Sequence, residues 1–345
     1  MFQAIFGSVK GGPAIVTCLC CAFFTSLTGG SGVTILALGG LLMPILLAER
    51  YKERHALGLL TSAGSLGMLF PPSLPVILYG VVSHTPIDKL FLGGFIPGCM
   101  LMGLTIWWGI SKGSKEQAIR HPFHWEEARR SIWAAKWELF LPILVFLFLF
   151  VIKTTLVESA ALTALYAFFI EVFVYKGLDF KYKLPHAITE CGILVGGVLL
   201  ILGVSMGFTN FMVDAQIPTR MADWVKGSIH STWLFLLMIN LLLIAVGGLL
   251  EIFAAIAVVV PLLLPMGAAY GIDPVHLGII FLANMELGFL CPPLGLNLFL
   301  SSYRFKKPMT EVYIAALPMY GFLYLMVLLI TYVPFFTTWL PSLYQ

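Results

Sequence analysis

Two apolar stretches of the chain are each interrupted by a pair of prolines. Pro71-Pro72 and Pro292-Pro293 lie within hydrophobic runs that are long enough to cross a bilayer. Because proline lacks a backbone N–H and clashes with the preceding turn, a helix that contains two in a row must open there. Opened backbone at membrane depth is tolerated only where it is buried in protein or lines a cavity. The prolines therefore predict two broken membrane helices.

The composition supports a membrane protein. The 345 residues are 59% hydrophobic and only 11% charged, and the mean hydropathy is +0.96. Since a soluble domain carries about 25% charged residues, this chain has more apolar surface than a water-soluble core needs. We predict an all-α polytopic membrane protein. The net charge of +3 is too small to indicate a class of partner.

The lengths of the apolar segments predict the topology. Single crossings of about 30 Å are predicted for residues 56–81, 88–111, 138–154, 156–175, 186–206, 275–301 and 310–340. Regions 12–48 and 231–270 are too long for one crossing, and each contains a glycine pair near its middle, Gly29-Gly30 or Gly247-Gly248. Such an interruption is typical of a re-entrant hairpin, which enters and leaves the membrane on the same side.

The placement of basic residues is consistent with this topology. Of the 20 Lys and Arg residues, 15 lie in the four loops 50–54, 112–136, 176–183 and 304–307. If both long regions are hairpins, all four loops fall on one side, as expected for positively charged cytoplasmic loops. Two full crossings at 231–270 would also close the topology. The hairpin prediction therefore depends on the glycine tips.

The predicted elements occur twice in the same order. Hairpin 12–48, broken helix 56–81 and helix 88–111 correspond to hairpin 231–270, broken helix 275–301 and helix 310–340. The linking transmembrane helix 138–154 inverts the second copy. We therefore predict an inverted-topology repeat, with one copy in residues 1–137 and the other in residues 155–345. The second copy has two helices ahead of its hairpin that the first lacks, so symmetry predicts a truncation at the N-terminus.

Segment 122–137 has the pattern of a surface helix. Trp125, Ile132 and Trp133 fall near one face, and charged residues fall on the other. This pattern predicts an amphipathic helix on the cytoplasmic membrane surface. A solvated linker helix is the alternative.

The first hairpin tip and the first broken helix combine glycines with hydroxyls. Hydroxyls, and the carbonyls freed at broken helix ends, are hard oxygen ligands suited to a dehydrated Na⁺. The alternative is that these small residues only let membrane helices pack closely. The residues of this first candidate site are Ser26, Thr28, Gly29, Gly30, Ser31, Gly64, Ser65 and Gly67.

The second hairpin and the second broken helix provide a corresponding set. Its candidate Na⁺ ligands are Gly247, Gly248, Glu251, Asn284 and Gly288. A carboxylate inside the membrane is costly and indicates function by default. Glu251 and Glu286 could each ligate a cation, accept a proton or cap a helix end, and Glu286 could also be purely structural.

The helix breaks themselves are candidates for the substrate path. Helix N-termini that open at the breaks would face an anionic group of the substrate. Paired breaks in two halves are typical of the binding site of a secondary transporter. The residues concerned are Pro71, Pro72, Ser73, Pro292, Pro293, Gly295 and Asn297.

Other function classes have little support in the sequence. The chain has no P-loop and no HExxH motif, and its six cysteines all lie in apolar runs. We therefore predict no enzyme activity, no transition metal, no nucleic-acid partner and no cofactor besides Na⁺ as the coupling ion. An intramembrane enzyme with Glu251 and Glu286 as acid and base, and a scaffold without a transport path, are the alternatives from other classes.

Several motifs together resemble one transporter family. In the first half they are Lys10–Gly12, Thr28–Thr34, Leu66–Pro75, Tyr79-Gly80 and Ile96–Gly98. In the second half they are Thr155–Tyr166, Pro261, Pro265, Gly271–Asp273 and Pro292–Phe299. Over essentially its whole length the chain resembles the large membrane subunit of tripartite ATP-independent periplasmic (TRAP) transporters.

The resemblance implies a function and a set of partners. It implies a Na⁺-coupled importer of a small organic acid that works by an elevator mechanism in the bacterial inner membrane. It further implies a periplasmic substrate-binding protein and a small four-helix membrane subunit as partners. One Na⁺ would lie between Ser26–Ser31 and Gly64–Gly67, a second between Gly247–Glu251 and Asn284–Gly288, and the substrate between the tips. A binding-protein-independent Na⁺/carboxylate symporter of similar fold is the alternative.

Overall fold

Helices make up the regular structure in the computed structural model, which describes residues 11–113, 125–152, 154–177, 179, 181–292 and 295–343. The chain divides into two units. One is formed by residues 125–211, and the other by the described residues on either side of that segment.

Among its described residues, the N-terminal part of the larger unit contains five helices. They are α1 Gly12–Thr28, α2 Ser31–Ala48, α3 Glu53–Ala63, α4 Leu74–Ser83 and α5 Ile87–Lys112. Between α1 and α2 the chain reverses at Gly29, whose φ of 68° is left-handed. The Gly29 N–H donates to the Thr25 carbonyl at 2.8 Å, which closes the end of α1. Glycine is suited to this tip because it adopts a positive φ without steric cost.

The smaller unit contains α6 Trp125–Ala134, α7 Lys136–Phe146, α8 Leu156–Phe169 and most of α9 Lys183–Asp214. Thr155 and Glu158 form a capping box at the start of α8, in which the Glu158 carboxylate accepts the Thr155 N–H at 2.9 Å. The box satisfies two backbone donors that the first helical turn leaves free. The Tyr166 hydroxyl donates to the Trp137 carbonyl at 2.9 Å and so ties α8 to α7.

The described residues of the C-terminal part of the larger unit form seven helices. They are α10 Ile217–Ser228, α11 Thr232–Leu249, α12 Ile252–Ala269, α13 Pro274–Gly288, α14 Leu296–Phe305, α15 Met309–Tyr332 and α16 Phe335–Leu343. The short link between α11 and α12 falls at Leu250 and Glu251. Both double prolines lie between helices, Pro71-Pro72 between α3 and α4 and Pro292-Pro293 between α13 and α14.

Two predicted segments are shorter or more interrupted than the sequence suggests. Residues 310–340 are not one helix, because α15 ends at Tyr332 and α16 begins at Phe335. Pro334 cannot donate to the helical ladder, and Val333 before it is extended, at φ −120° and ψ 83°. The predicted linking helix 138–154 is α7 followed by a five-residue π-helical turn that ends at Val151.

The predicted surface helix also differs from its assigned bounds. Of segment 122–137, residues 122–124 lie outside the described part of the chain, and α6 covers Trp125–Ala134. Ala135, at φ −96° and ψ 16°, separates α6 from α7, so Lys136 and Trp137 begin the next helix. Trp125 and Trp133 are exposed, with 68% and 70% of their surface accessible.

Seven helical segments of the described residues are long and apolar enough to cross a membrane. They are Ser31–Ala48, Ile87–Lys112, Val157–Val174, Lys183–Asp214, Thr232–Leu249, Ile252–Ala269 and Met309–Tyr332. The all-helical, polytopic class that the composition predicts is thereby confirmed, because each of these segments could span the hydrocarbon core.

Helices of the two parts of the larger unit pack against each other reciprocally. The second arm of the first predicted hairpin, α2, packs against α14, which follows the second double proline. The second arm of the second predicted hairpin, α12, packs against α4, which follows the first double proline. Each first arm lies against the helix that precedes its own break, α1 against α3 and α11 against α13. This arrangement brings both hairpin tips to the two breaks.

Candidate functional site

The first hairpin and the first break are joined by a buried threonine. The Thr25 hydroxyl contacts the Thr34 hydroxyl at 2.6 Å across the two arms. It also donates to the carbonyl of Gly64, at the C-terminal end of α3, at 2.7 Å. Thr25 is not among the site residues that the sequence predicts. The sequence gives little indication of this role, because nothing distinguishes Thr25 from the other Ser and Thr residues of the same run.

Glycine lets the break approach the hairpin backbone. A Cβ added to Gly67 would overlap the Ala22 carbonyl oxygen and lie 2.5 Å from the Ser26 amide nitrogen. A Cβ added to Gly29 would lie 2.7 Å from the Leu74 Cβ, at the start of α4. The first tip therefore contacts both sides of the first break.

The three predicted hydroxyls of the first hairpin tip, those of Ser26, Thr28 and Ser31, differ in their partners. Ser26 and Thr28 donate to the carbonyls of Phe23 and Phe24 in their own helix, at 2.8 and 2.9 Å. The hydroxyl of Ser31, at the start of α2, is buried without a hydrogen-bond partner among the described residues. Gly30 is extended, with φ −123°.

The second tip meets its break through a glycine contact of the same kind. A Cβ added to Gly247 would lie 3.0 Å from the Cα of Gly288, at the end of α13. A Cβ added to Gly248 would lie at the ordinary contact distance of 3.6 Å from the Cys291 side chain. Gly247, Gly248 and Gly288 thus lie together, as the sequence reasoning grouped them.

Glu251 caps the second arm of the second hairpin. Its side chain accepts the N–H of Phe253 at 2.8 Å, at the N-terminus of α12. Of the three roles that the sequence left open for Glu251, this geometry corresponds to the cap. A carboxylate at a helix N-terminus is stabilised by the free N–H groups and by the helix dipole.

Asn284 belongs to a buried polar network between α13, α11 and α15. Its side-chain amide donates to the Asn240 side-chain oxygen at 2.7 Å. The Thr331 hydroxyl of α15 donates to the same oxygen at 3.1 Å. Asn240 is fully buried and was missed at the sequence level, although a lone amide in the apolar run of α11 was a usable signal. The structure therefore joins Asn284 to α11 and α15 by hydrogen bonds.

We expect Asn240→Leu to destabilise the chain. The substitution removes the acceptor shared by Asn284 and Thr331, and hydrogen bonds between membrane helices contribute about 0.6 to 1.7 kcal/mol. The measurement is thermal unfolding of the purified protein in detergent. Asn210→Leu is the matched control, because Asn210 is exposed on α9. Equal unfolding temperatures for the two variants would contradict the network.

Side chains of the second break reach the end of α3. The Asn297 amide donates to the Thr61 carbonyl at 3.3 Å, and the Thr61 hydroxyl donates to Ser301 at 2.9 Å. All three residues are fully buried. The two breaks are therefore adjacent, which the separate sequence motifs did not establish.

Glu286 lies in the last turn of α13 and is only 3% exposed. The Ser65 hydroxyl of the first break lies beside its carboxyl group. Neither group has a partner in hydrogen-bonding geometry among the described residues. A buried carboxyl group without a partner is unfavourable, so this position requires a specific role.

The remaining predicted residues lie in the breaks or at their edges. Pro71 and Pro72 precede Ser73, which occupies the N-cap position of α4 and has a buried hydroxyl without a partner in the described chain. Pro292 follows α13, and Pro293 lies outside the described residues. Gly295 precedes α14, where a Cβ would lie 2.5 Å from the Phe289 carbonyl oxygen.

The site is rich in oxygen atoms that lack a partner. Besides the Tyr51 hydroxyl, which lies outside the candidate site, the buried side-chain oxygens without a partner in the described residues belong to Ser31, Ser62, Ser65, Ser73, Asn284, Glu286 and Asn297. The same part of the chain contains no group of three His, Cys, Asp or Glu side chains that could hold a metal ion. Neutral hydroxyl and amide oxygens with one carboxyl group fit a hard cation such as Na⁺ better than a transition metal.

The apolar helices define a multi-pass membrane protein, and its two helix breaks lie next to each other around buried polar side chains. Residues 1–336 match the family described as tripartite ATP-independent periplasmic transporter, DctM component. The chain belongs to this family, as the motifs predicted. It is therefore a component of a membrane transporter and not an enzyme.

Characterised relatives cover nearly the whole chain. It is 33% identical to the C4-dicarboxylate TRAP transporter large permease protein DctM of Pseudomonas aeruginosa, across 99% of this chain and 80% of that protein. It is 32% identical to the isethionate TRAP transporter permease protein DctMQ of Oleidesulfovibrio alaskensis, across 96% of this chain and 52% of that protein. It is 30% identical to the sialic acid TRAP transporter large permease protein SiaM of Vibrio cholerae, across 99% of this chain and 80% of that protein.

Proposed function

We propose that this chain is the large permease subunit of a Na⁺-coupled secondary transporter that imports a small organic acid across the bacterial inner membrane. Its partners would be a periplasmic substrate-binding protein and a small four-helix membrane subunit. Relatives named for C4-dicarboxylate, isethionate and sialic acid support an organic-acid substrate class. The relatives differ in substrate, so the class is the level at which the substrate is proposed.

The observation that carries the proposal is the contact of each hairpin tip with its break. Gly67 meets the backbone of the first hairpin, and Gly288 meets the backbone of the second. The reciprocal packing of α2 on α14 and of α12 on α4 supports an inverted repeat with re-entrant hairpins. In an elevator mechanism the two hairpins and the two broken helices would move as one body against the remaining helices.

The oxygens without partners support two Na⁺ sites. The first would use the tip Ser26, Thr28, Gly29, Gly30 and Ser31 with the break residues Gly64, Ser65 and Gly67. Carbonyls at the C-terminal end of α3 would add the negative end of its dipole. The second would use Gly247, Gly248, Glu251, Asn284 and Gly288. Glu286, beside Ser65, would supply a carboxyl oxygen.

The substrate would bind where the second halves of the broken helices begin. The N-termini of α4 and α14 leave backbone N–H groups free, and such groups attract carboxylates. Ser73 and Gly295 occupy the cap positions of these helices, and Asn297 lies in the first turn of α14. Pro71, Pro72, Pro292 and Pro293 would keep this backbone open.

The proposal predicts Na⁺-driven uptake in proteoliposomes. The vesicles would contain this chain and its small subunit, with the binding protein outside and radiolabelled succinate as the probe. We expect accumulation with an inward Na⁺ gradient and none with an equal K⁺ gradient, because only Na⁺ would complete both sites. Uptake that is the same in Na⁺ and in K⁺ would contradict the coupling.

The same vesicles distinguish the alternative function. Omission of the binding protein should abolish uptake if the chain works in a tripartite system. Full uptake without it would instead support a binding-protein-independent Na⁺/carboxylate symporter. Uptake of sialic acid, measured with a binding protein specific for sialic acid, tests how broad the substrate class is.

A further inference from the structure

A cavity of about 670 Å³ lies between α2 and the loop that follows α14. Leu36, Tyr303 and Pro308 give it apolar walls, and Arg304 and Lys306 give it positive charge. It is separate from the helix breaks, and none of the proposed Na⁺ or substrate residues lines it. Its size is in the range of pockets that hold small ligands, about 300 to 1,000 Å³.

Two of the cations at this cavity have no acidic partner. Lys307 contacts Glu53 at 2.8 Å and Glu311 at 3.2 Å, and these two carboxylates raise the pKa of Lys307. Arg304 and Lys306 make no ion pair within the described part of the chain, and both are exposed. The cavity therefore has two positive charges available for an anionic ligand.

Two hydrogen bonds order the turn at the end of α14, where Arg304 and Lys306 lie. The Ser302 hydroxyl donates to the Lys307 carbonyl at 2.6 Å, and the Lys307 N–H donates to the Ser302 carbonyl at 3.1 Å. Lys306 adopts a left-handed conformation, with φ 52°, and ends α14. Because the turn is already ordered, binding an anion there costs little further conformational entropy.

The absence of a side chain at Gly40 leaves room for the Arg304 guanidinium group against α2. A Cβ added to Gly40 would overlap the Arg304 guanidinium group, so the guanidinium lies directly over the Gly40 backbone. Guanidinium groups bind phosphate oxygens through two parallel N–H donors. Gly40 thus determines where an anion would meet Arg304.

The surface next to the cavity suits acyl chains. Leu41, which follows Gly40, is 66% exposed, and Phe299, one turn before Tyr303, is 56% exposed. Tyr303 is 75% exposed, and tyrosines are enriched where membrane helices meet the headgroup layer. Residues 304–307 form one of the four basic loops, which are expected at the cytoplasmic surface.

We propose that this cavity binds an anionic phospholipid, with Arg304 and Lys306 on its phosphate and the acyl chains along Leu41 and Phe299. Charge complementarity selects an anionic headgroup, and the exposed apolar side chains favour a lipid over a soluble anion. Basic pockets between membrane helices on the cytoplasmic side are suited to such headgroups. The binding is independent of the proposed Na⁺ coupling, because it uses none of those residues. A lipid held there would contact both the first hairpin, through α2, and the second broken helix, through α14.

Native mass spectrometry of the full chain tests this proposal. The protein in detergent is titrated with phosphatidylglycerol, and retained lipid is compared with retained phosphatidylcholine. We expect preferential retention of phosphatidylglycerol, and retention about 30-fold weaker in Arg304→Gln/Lys306→Gln, since each basic residue near an anionic lipid is worth about fivefold. Lys181→Gln/Lys183→Gln removes the same charge from another basic loop and should retain lipid as the unmodified chain does.

A second variant tests the geometry without a change in charge. Gly40→Ala should displace the Arg304 guanidinium and weaken retention of phosphatidylglycerol, with the unfolding temperature unchanged because Gly40 is exposed. Retention by Arg304→Gln/Lys306→Gln equal to that of the unmodified chain would overturn the proposal. Equal loss in the Lys181→Gln/Lys183→Gln control would also overturn it, as would displacement of the lipid by equimolar inorganic phosphate, which would indicate a soluble-anion site.

Discussion

Gly67→Ala is expected to abolish transport and to loosen the first hairpin from its break. The added methyl group would overlap the Ala22 carbonyl oxygen and lie 2.5 Å from the Ser26 amide nitrogen. Both are backbone atoms, which cannot rotate away as a side chain can, so α1 must move from the break. Overpacking of this kind costs about 1 to 3 kcal/mol. The measurements are uptake in proteoliposomes and thermal unfolding of the purified variant.

Gly103→Ala is the matched control for Gly67→Ala. Gly103 lies in α5, and a Cβ there has nothing within 4 Å. It also exchanges glycine for alanine in an apolar segment, and it should leave both uptake and unfolding temperature unchanged. If Gly67→Ala behaved in the same way as Gly103→Ala, the close backbone contact would not exist in the working protein.

Gly288→Ala is expected to have the corresponding effect in the second half. Its methyl group would lie 2.5 Å from the Cα of Gly247, 2.7 Å from the Gly247 carbonyl carbon and 3.0 Å from the Gly248 nitrogen. All three are backbone atoms of the second tip. Separating the tip from α13 would displace the proposed second Na⁺ site, so we expect loss of uptake and a lower unfolding temperature.

The test of Gly288→Ala includes a readout of the cation. If the second Na⁺ site is disturbed, any residual uptake should need a higher Na⁺ concentration for half-maximal rate. Gly321→Ala in α15 is the control, because a Cβ there also has nothing within 4 Å. An unchanged Na⁺ dependence together with normal uptake would remove Gly288 from the site.

Backbone chemistry made much of the architecture predictable from sequence. Pro71-Pro72 interrupts a helix wherever it occurs, because the missing N–H and the ring clash act within one turn. Gly29 indicates a tight tip for an equally local reason, namely its access to positive φ. The same local rule applies to Pro334 in the long apolar run 310–340, which the structure divides into α15 and α16.

The partners of the polar side chains were not predictable in this way. Thr25, Asn240 and Thr61 make the contacts that join hairpins, breaks and neighbouring helices, with partners 39, 44 and 240 residues away. No local pattern specifies which helix packs against which. A polar residue that has a distant partner therefore cannot be distinguished in the sequence from one that has none. The network role of Asn284 likewise follows only from the packing of α13 on α11.

The sequence by itself determined where the chain opens and turns, the membrane class and the family, because proline, glycine and apolar content act through local backbone geometry and solvation. Only the tertiary structure decided that the two breaks are adjacent, that Gly67 and Gly288 touch the backbones of their own hairpins, and that Glu286 lies beside Ser65. Those relations depend on the packing of helices that are distant in sequence. Close packing is a property of the assembled fold.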